Sequence, residues 1–239
     1  MKKWLFGMAC LDLCLLLCCL SAAALRILAD GISRKGSVSV SSQSILTGRT
    51  EGGAEPKRIA LTFDDGPHPT YTEKLLDGLK ERGVKATFFV TGEHAELHPE
   101  LILRMKEEGH LIGNHTYSHL QLRSNNRDKF VSELQKTNEI ISSITGEEVF
   151  YVRPPYGSWD KALEKELNLF PVLWTIDPTD WSCLNAETVT RRVLKKAKEN
   201  AIILLHDYYQ TSVEAALMIV DQLSREGYEF VTVDELLME

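Results

Sequence analysis

From Ile59 onward the chain repeats one pattern, a short apolar run followed by a longer amphipathic one. Ile59-Ala60-Leu61-Thr62-Phe63 alternates like a strand, and Thr70 to Arg82 reads as a helix stopped by Gly83. The strand Ala86 to Val90 comes next. Pro99 opens a second helix closed by Gly109, before a short strand at Leu111-Ile112-Gly113. A helix near Arg127 to Ser143 precedes Phe150-Tyr151-Val152, and one near Asp160 to Leu167 precedes the strand Val172 to Ile176. Ala186 to Glu199 reads as helix, Ala201 to Leu205 as strand, Val213 to Glu226 as helix and Tyr228 to Val231 as the last strand. Seven such units predict an α/β fold with a parallel sheet covered by helices. Whether doubly wound or a barrel, it would carry function at the carboxyl ends of its strands.

The unusual residues fall at those ends. Strand one runs into Asp64-Asp65-Gly66-Pro67, where neighbouring carboxylates point in different directions, so one can bind a cation while the other accepts a proton. Strand three runs into Asn114-His115-Thr116-Tyr117-Ser118-His119. One helical turn would bring its two histidines to the same side, and with Asp65 they make a 2-His-1-carboxylate set with positions left open. Arg153-Pro154-Pro155-Tyr156 follows strand four, offering a guanidinium that could orient Asp64 and favour its ionised form. Asp177-Pro178-Thr179-Asp180-Trp181 follows strand five, and strand six ends in Leu204-Leu205-His206-Asp207. An Asp bonded to the His206 ring would keep it protonated as an acid. His68, His94, His98 and His110 are assigned to surface or loop structure, with a substrate contact left open for His68.

The first residues differ from the rest. Lys2 and Lys3 precede a nearly apolar run from Trp4 to Ala24 that ends in small residues, which reads as a secretory signal peptide or an uncleaved membrane anchor over 1–29. Residues 30–56 are rich in Ser and Gly and read as a flexible linker, placing the domain at 57–239. Basic residues before the apolar run put the domain outside the cytoplasmic membrane. Four of the five cysteines lie in the apolar run, leaving Cys183 alone in the domain. Any metal is therefore held by nitrogen and oxygen. A net charge of -7 without long basic runs argues against a nucleic-acid partner.

These motifs, taken in order, resemble the five of the polysaccharide deacetylases, the NodB homology domain of carbohydrate esterase family 4. The resemblance runs from about Lys57 to the C-terminus. It implies a distorted (β/α) barrel of fewer than eight units, consistent with the seven counted, and a divalent metal, usually zinc, on Asp65, His115 and His119. It further implies Asp64 as general base held by Arg153, and His206 as general acid tuned by Asp180 or Asp177. The backbone N–H of Tyr156 would help stabilise an oxyanion, and Trp181 and Leu204 would line a pocket for the acetyl methyl. The reaction expected is hydrolysis of N-acetyl groups on a cell-wall polysaccharide, foremost the N-acetylglucosamine of peptidoglycan. A chitin oligosaccharide or acetylxylan deacetylase would share every catalytic residue. A hydrolase of small cyclic amides would fit the fold, and a non-catalytic wall-binding module is the reading from another class. A monomer is expected, with the cytoplasmic membrane met through the N-terminal segment.

Overall fold

Strand β1 (Lys57–Asp64) is buried from Ile59 to its end, as a central strand covered on both faces must be. In this computed structural model, which describes residues 56–238, β1 pairs with three strands, and the remaining three extend the sheet outward from one of these. The expected export segment at 1–29 lies outside the described residues, as does all of the expected linker but Pro56.

All pairings are parallel. β6 (Ala201–His206) lies along one edge of β1, while β7 (Tyr228–Val231) pairs with Lys57–Ala60 and β2 (Thr87–Val90) with Thr62–Asp64. Beyond β2 come β3 (Leu111–Asn114), β4 (Tyr151–Val152) and β5 (Phe170–Pro171). The order is β5-β4-β3-β2-β1-β6. Among the described residues seven helices lie between the strands, α1 (Tyr71–Glu81), α2 (Gly92–Leu97), α3 (Pro99–Glu107), α4 (Arg127–Thr145), α5 (Ala162–Leu167), α6 (Ala186–Leu194) and α7 (Gln210–Arg225), and an eighth, α8 (Val233–Leu237), follows β7.

Strand alternation sorts the core into two sides. Ile59, Leu61, Phe63, Phe88, Val90, Ile203 and Leu205 pack against helix residues such as Leu75, Leu79, Ile219 and Leu223 in the largest cluster. Ala60, Phe89 and Ile202 face the other way, with Val172, Val231 and Leu236. Thr62 and Asp64 follow Ala60 onto this second face, so the interior turns polar toward the carboxyl ends of the strands.

Two expectations need correction. The strand expected at Val172–Ile176 is displaced: β5 is Phe170–Pro171, and the apolar run after it forms only an isolated bridge, Ile176 to Ile203. The carbonyls of Val172 and Leu173 accept from Nε and Nη2 of Arg153 at 3.1 and 3.3 Å, so a side chain sits where a ladder would run. Through Thr175 and Ile176, both donating to Ile202 O, the segment reaches β6 and curls the sheet into an incomplete barrel. The six-residue helix α2 was not expected, because it begins at Gly92 and is too short to show an apolar stripe.

Candidate active site

Register builds the site. Asp64 pairs with His206 across β1 and β6, and with Phe89 across β1 and β2; Val90 pairs with Asn114, and Asn114 with Val152. The residues just past this layer, Asp65, His115 and Arg153, therefore emerge at one end of the barrel. His115 N donates to Val90 O and Arg153 N to Asn114 O, both at 2.9 Å, which extends the ladder one residue beyond the strands.

Asp65 leaves β1 in the left-handed region, φ 73. That reversal undoes the divergence expected of neighbouring strand residues. Both carboxylates reach the same imidazole, His115 Nε2 lying 3.4 Å from Asp65 Oδ1 and 3.7 Å from Asp64 Oδ2. The histidine pair is not on a helical turn either. Thr116 and His119 have φ 61 and 56, and the loop between them is held from outside. Gly92 N and Glu93 N of α2 donate to Thr116 O and Tyr117 O, and the buried Glu133 of α4 accepts from Ser118.

His119 Nε2 thereby comes to 3.5 Å from Asp65 Oδ1, and one ligand atom from each of Asp65, His115 and His119 lies within 4.8 Å of the others. Two ligands held about 2.0–2.1 Å from one ion at the tetrahedral angle stand roughly 3.4 Å apart, which matches the spacing of this oxygen from each imidazole. Asp65 Oδ1 is buried and accepts no hydrogen bond among the described residues, as an oxygen reserved for a cation would be. His115 Nδ1 donates to Arg153 O at 2.5 Å, leaving Nε2 with its lone pair toward Asp65. Burial alone would raise the Asp65 carboxyl, but the imidazoles of His115, His206 and His119 more than reverse this and hold it at about 2. Burial, then His115, lowers His119, which favours the neutral ring that ligation needs.

Arg153 is fully buried. Its Nη1 donates to Asp64 Oδ1 at 2.9 Å and to Thr62 Oγ1 at 2.6 Å, and its guanidinium lies 4.2 Å from the Phe89 ring centroid. Burial pulls this guanidinium below its ordinary value, with the Asp64 charge opposing. Opposite stands His206, whose Nδ1 lies 2.9 Å from Asp180 Oδ1 while its backbone N donates to Asp180 Oδ2 at 2.8 Å. Burial would lower His206, but Asp180 foremost, then Asp64 and Asp65, push it up to about 9. Asp177 instead accepts from Thr179 N, so of the two candidate partners Asp180 is the one that meets the ring.

The remaining expected residues surround this centre. The Tyr156 ring lies 5.0 Å from that of His119, and Tyr156 has a left-handed backbone, φ 59. Trp181 is exposed on the short turn Asp180–Ser182, and Leu204 is buried on the same face of β6 as His206.

The model of a known family, polysaccharide deacetylase, matches residues 51–172, about half of the chain. The chain belongs to the polysaccharide deacetylase family. Peptidoglycan-N-acetylmuramic acid deacetylase PdaC of Bacillus subtilis (strain 168) is 41% identical over 180 residues, 75% of this chain and 38% of that protein. Peptidoglycan-N-acetylglucosamine deacetylase PgdA of Listeria monocytogenes (serotype 1/2a, strain 10403S) is 42% identical over 183 residues, 77% of this chain and 39% of that protein. The chain thus aligns with under two fifths of the length of these relatives. The solved structure of PdaC from Bacillus subtilis superposes with a TM-score of 0.74 at 41% identity, covering 76% of this chain and 90% of that one. This likeness extends the family's fold to the barrel described above.

Around this centre stand residues to which sequence reasoning assigned no role in the site. His94 Nδ1 donates to Asp65 O at 2.7 Å and lies 3.0 Å from Thr91 Oγ1, while Thr91 N donates to Gly66 O. The Asp65–Gly66 turn is therefore gripped from α2 and from Thr91, the residue between β2 and α2. Beneath it, Asp207 is fully buried, accepts from Thr72 Oγ1 and is raised by burial to about 7. No spacing in the sequence signals His94, whereas Asp207 stands beside His206 in the motif that ends strand six, with no role of its own read there. His68 accepts from Thr70 N and Tyr71 N through Nδ1, which makes it an acceptor for the start of α1. His110, expected at the surface or in a loop, is buried, with Nδ1 accepting from Ala86 N.

Proposed function

We propose that this chain hydrolyses the N-acetyl amide of hexosamine units in peptidoglycan, using a zinc ion held by Asp65, His115 and His119. The observation that carries the reading is the buried, unpartnered Asp65 Oδ1 set 3.4 and 3.5 Å from two imidazole nitrogens, between the Asp64–Arg153 pair and the His206–Asp180 pair. Such an ion, when bound, lowers the pKa of a water and polarises a carbonyl. Asp64 accepts the proton of the attacking water, and Arg153, donating to its Oδ1, orients that carboxylate. The Tyr156 N–H supports the oxyanion that develops on the former carbonyl oxygen.

His206 Nε2 delivers a proton to the amide nitrogen as the C–N bond breaks, while Asp180 holds the opposite face of the ring. The products are acetate and a glycan amine. Trp181 and Leu204 line the space for the acetyl methyl. The relatives' names concern peptidoglycan, which lies outside the cytoplasmic membrane, and the basic-then-apolar run from Lys2 would carry the domain there or anchor it. Among the described residues no helix is long and apolar enough to cross a membrane.

The test is acetate release by the purified full chain supplied with zinc, on peptidoglycan, chitin oligomers and acetylated xylan. Release from peptidoglycan that is lost in Asp64→Asn and His119→Ala is expected. Release from acetylated xylan alone would replace the substrate, and zinc-loaded protein that releases nothing from any polymer would overturn the reading.

A further inference from the structure

A cavity of about 490 Å³ opens beside the metal-ligand set, sharing His119 and Tyr156 as part of its wall. Its outer wall carries Arg123 and Lys129, together with the amide side chains of Gln121, Asn125 and Asn126. We propose that this cavity binds a carboxylate of the glycan, on the sugar next to the one whose acetyl group is removed, through Arg123 and Lys129. The inference rests on the deacetylase reading for the sugar polymer, and adds to it the chemical class of the neighbouring unit.

Charge makes the first argument. The chain as a whole carries -7, and such a surface repels an anionic polymer unless cations stand where the polymer lies. Among the described residues the Arg123 guanidinium reaches only the Gln121 Oε1 amide oxygen, at 3.5 Å. Its neighbour Arg127, by contrast, is paired with Glu166. Lys129 stands 3.9 Å from Glu133, a carboxylate already accepting from Ser118 N and Oγ. Two cations with spare donor capacity thus face one opening.

The second argument is that the turn presenting Arg123 is built and not loose. Asn126 Oδ1 accepts from Arg123 N at 2.7 Å, Asn126 Nδ2 donates to Gln121 O at 2.9 Å, and Ser158 Oγ donates to Leu122 O at 2.9 Å. Leu122 packs on the cluster of Phe130, Leu134 and Val152. These bonds fix the backbone from which the exposed Arg123 side chain extends, and its planar guanidinium fork suits a carboxylate, with neighbouring amides to complete the hydrogen bonds. Its distance from the reacting centre is set by the loop that also carries His119, so binding here fixes which acetyl group meets Asp64 and His206.

Two sources supply such a carboxylate in peptidoglycan: a muramic lactyl group free of its peptide, or the peptide's own acids. Three tetrasaccharides separate them, a neutral chitin tetramer, a muramic tetramer with free lactyl carboxylates, and the same tetramer bearing stem peptides. Calorimetric affinity and acetate release are both measured on the full chain with zinc. A preference of about tenfold for one carboxylated tetramer over the neutral one is expected, weakening with added salt and falling to about twofold in Arg123→Gln/Lys129→Gln. Whichever tetramer shows it names the source. Equal affinity for all three in the unsubstituted protein, or a preference that survives the double substitution, would overturn the proposal. Absence of acetate release from any tetramer, with the preference intact, would sink the hydrolytic reading and leave the anion site standing.

Discussion

Arg153 Nη1 meets Asp64 Oδ1 at 2.9 Å with the guanidinium wholly out of solvent. Breaking a buried pair from one side leaves an uncompensated charge, and typically costs about 3–5 kcal/mol. Arg153→Met should therefore lower stability by about that amount and abolish acetate release. Asp64→Asn should lose activity with a smaller loss of stability, because Arg153 keeps Thr62 Oγ1, Val172 O, Leu173 O and the Phe89 face as partners. Urea denaturation of the two variants beside the parent tests the order. Equal destabilisation would mean that Asp64, not the surrounding cage, holds the arginine.

The His206–Asp180 contact predicts a pH effect. With its folded value raised to about 9, His206 contributes stability that is fully present below the unfolded value of about 6.5 and lost as pH rises through 9. As a proton donor it should stay charged over the same range. Asp180→Asn removes the largest opposing influence on burial, so the alkaline limb of kcat should move to lower pH and the rate should drop roughly 10²-fold or more. A variant whose limb stays in place would separate Asp180 from the proton donor.

How far these features could be read beforehand depends on what produces them. The strand ends carrying Asp64, Asp65, His115, Arg153 and His206 were legible because parallel strands share a direction, so residues just past apolar runs collect on one rim. Asp180 was legible only as one of two candidates. The path of the chain between motifs was not legible. Val172–Ile176 has a strand's composition, but its first carbonyls go to the Arg153 side chain. His115 and His119 converge through left-handed Thr116 and His119, and not through a helix. His94 supports the Asp65 turn from a segment distant in sequence, and only tertiary contact shows it; Asp207 was visible beside His206, but its packing against Gly66 was not.

That turn gives a further prediction. A Cβ at Gly66 would overlap the Asp207 carboxylate, and Asp207 has no room to retreat because it is buried and bonded to Thr72. Gly66→Ala should cost about 1–3 kcal/mol as overpacking and reduce zinc affinity more than stability, since the strain falls on the backbone beside Asp65. Adding Asp207→Ala removes the clash. The double variant should be more stable than the sum of the single effects, by at least about 0.5 kcal/mol in a double-mutant cycle. Strict additivity would show that the two residues do not press on each other.

His110 supplies a test of stability well away from the catalytic rim. Its Nδ1 accepts from Ala86 N at 3.0 Å, so protonating that nitrogen breaks a bond that opens strand β2. Burial foremost, with Arg104 and Lys85 adding to it and Glu108 opposing, lowers the ring to about 4. Between about 4 and the unfolded value near 6.5 the unfolded chain binds the extra proton, so stability falls as pH falls through this window. The neutral ring's advantage is complete above about 6.5, and the full swing is about 3 kcal/mol. Unfolding free energy should therefore drop by roughly 2–3 kcal/mol more between pH 7.5 and 4.5 in the parent than in His110→Gln, which has no group titrating there. Carboxylates contribute equally to both proteins and cancel in the difference. Parallel pH profiles for the two would show that the folded protein does not resist protonation of this imidazole.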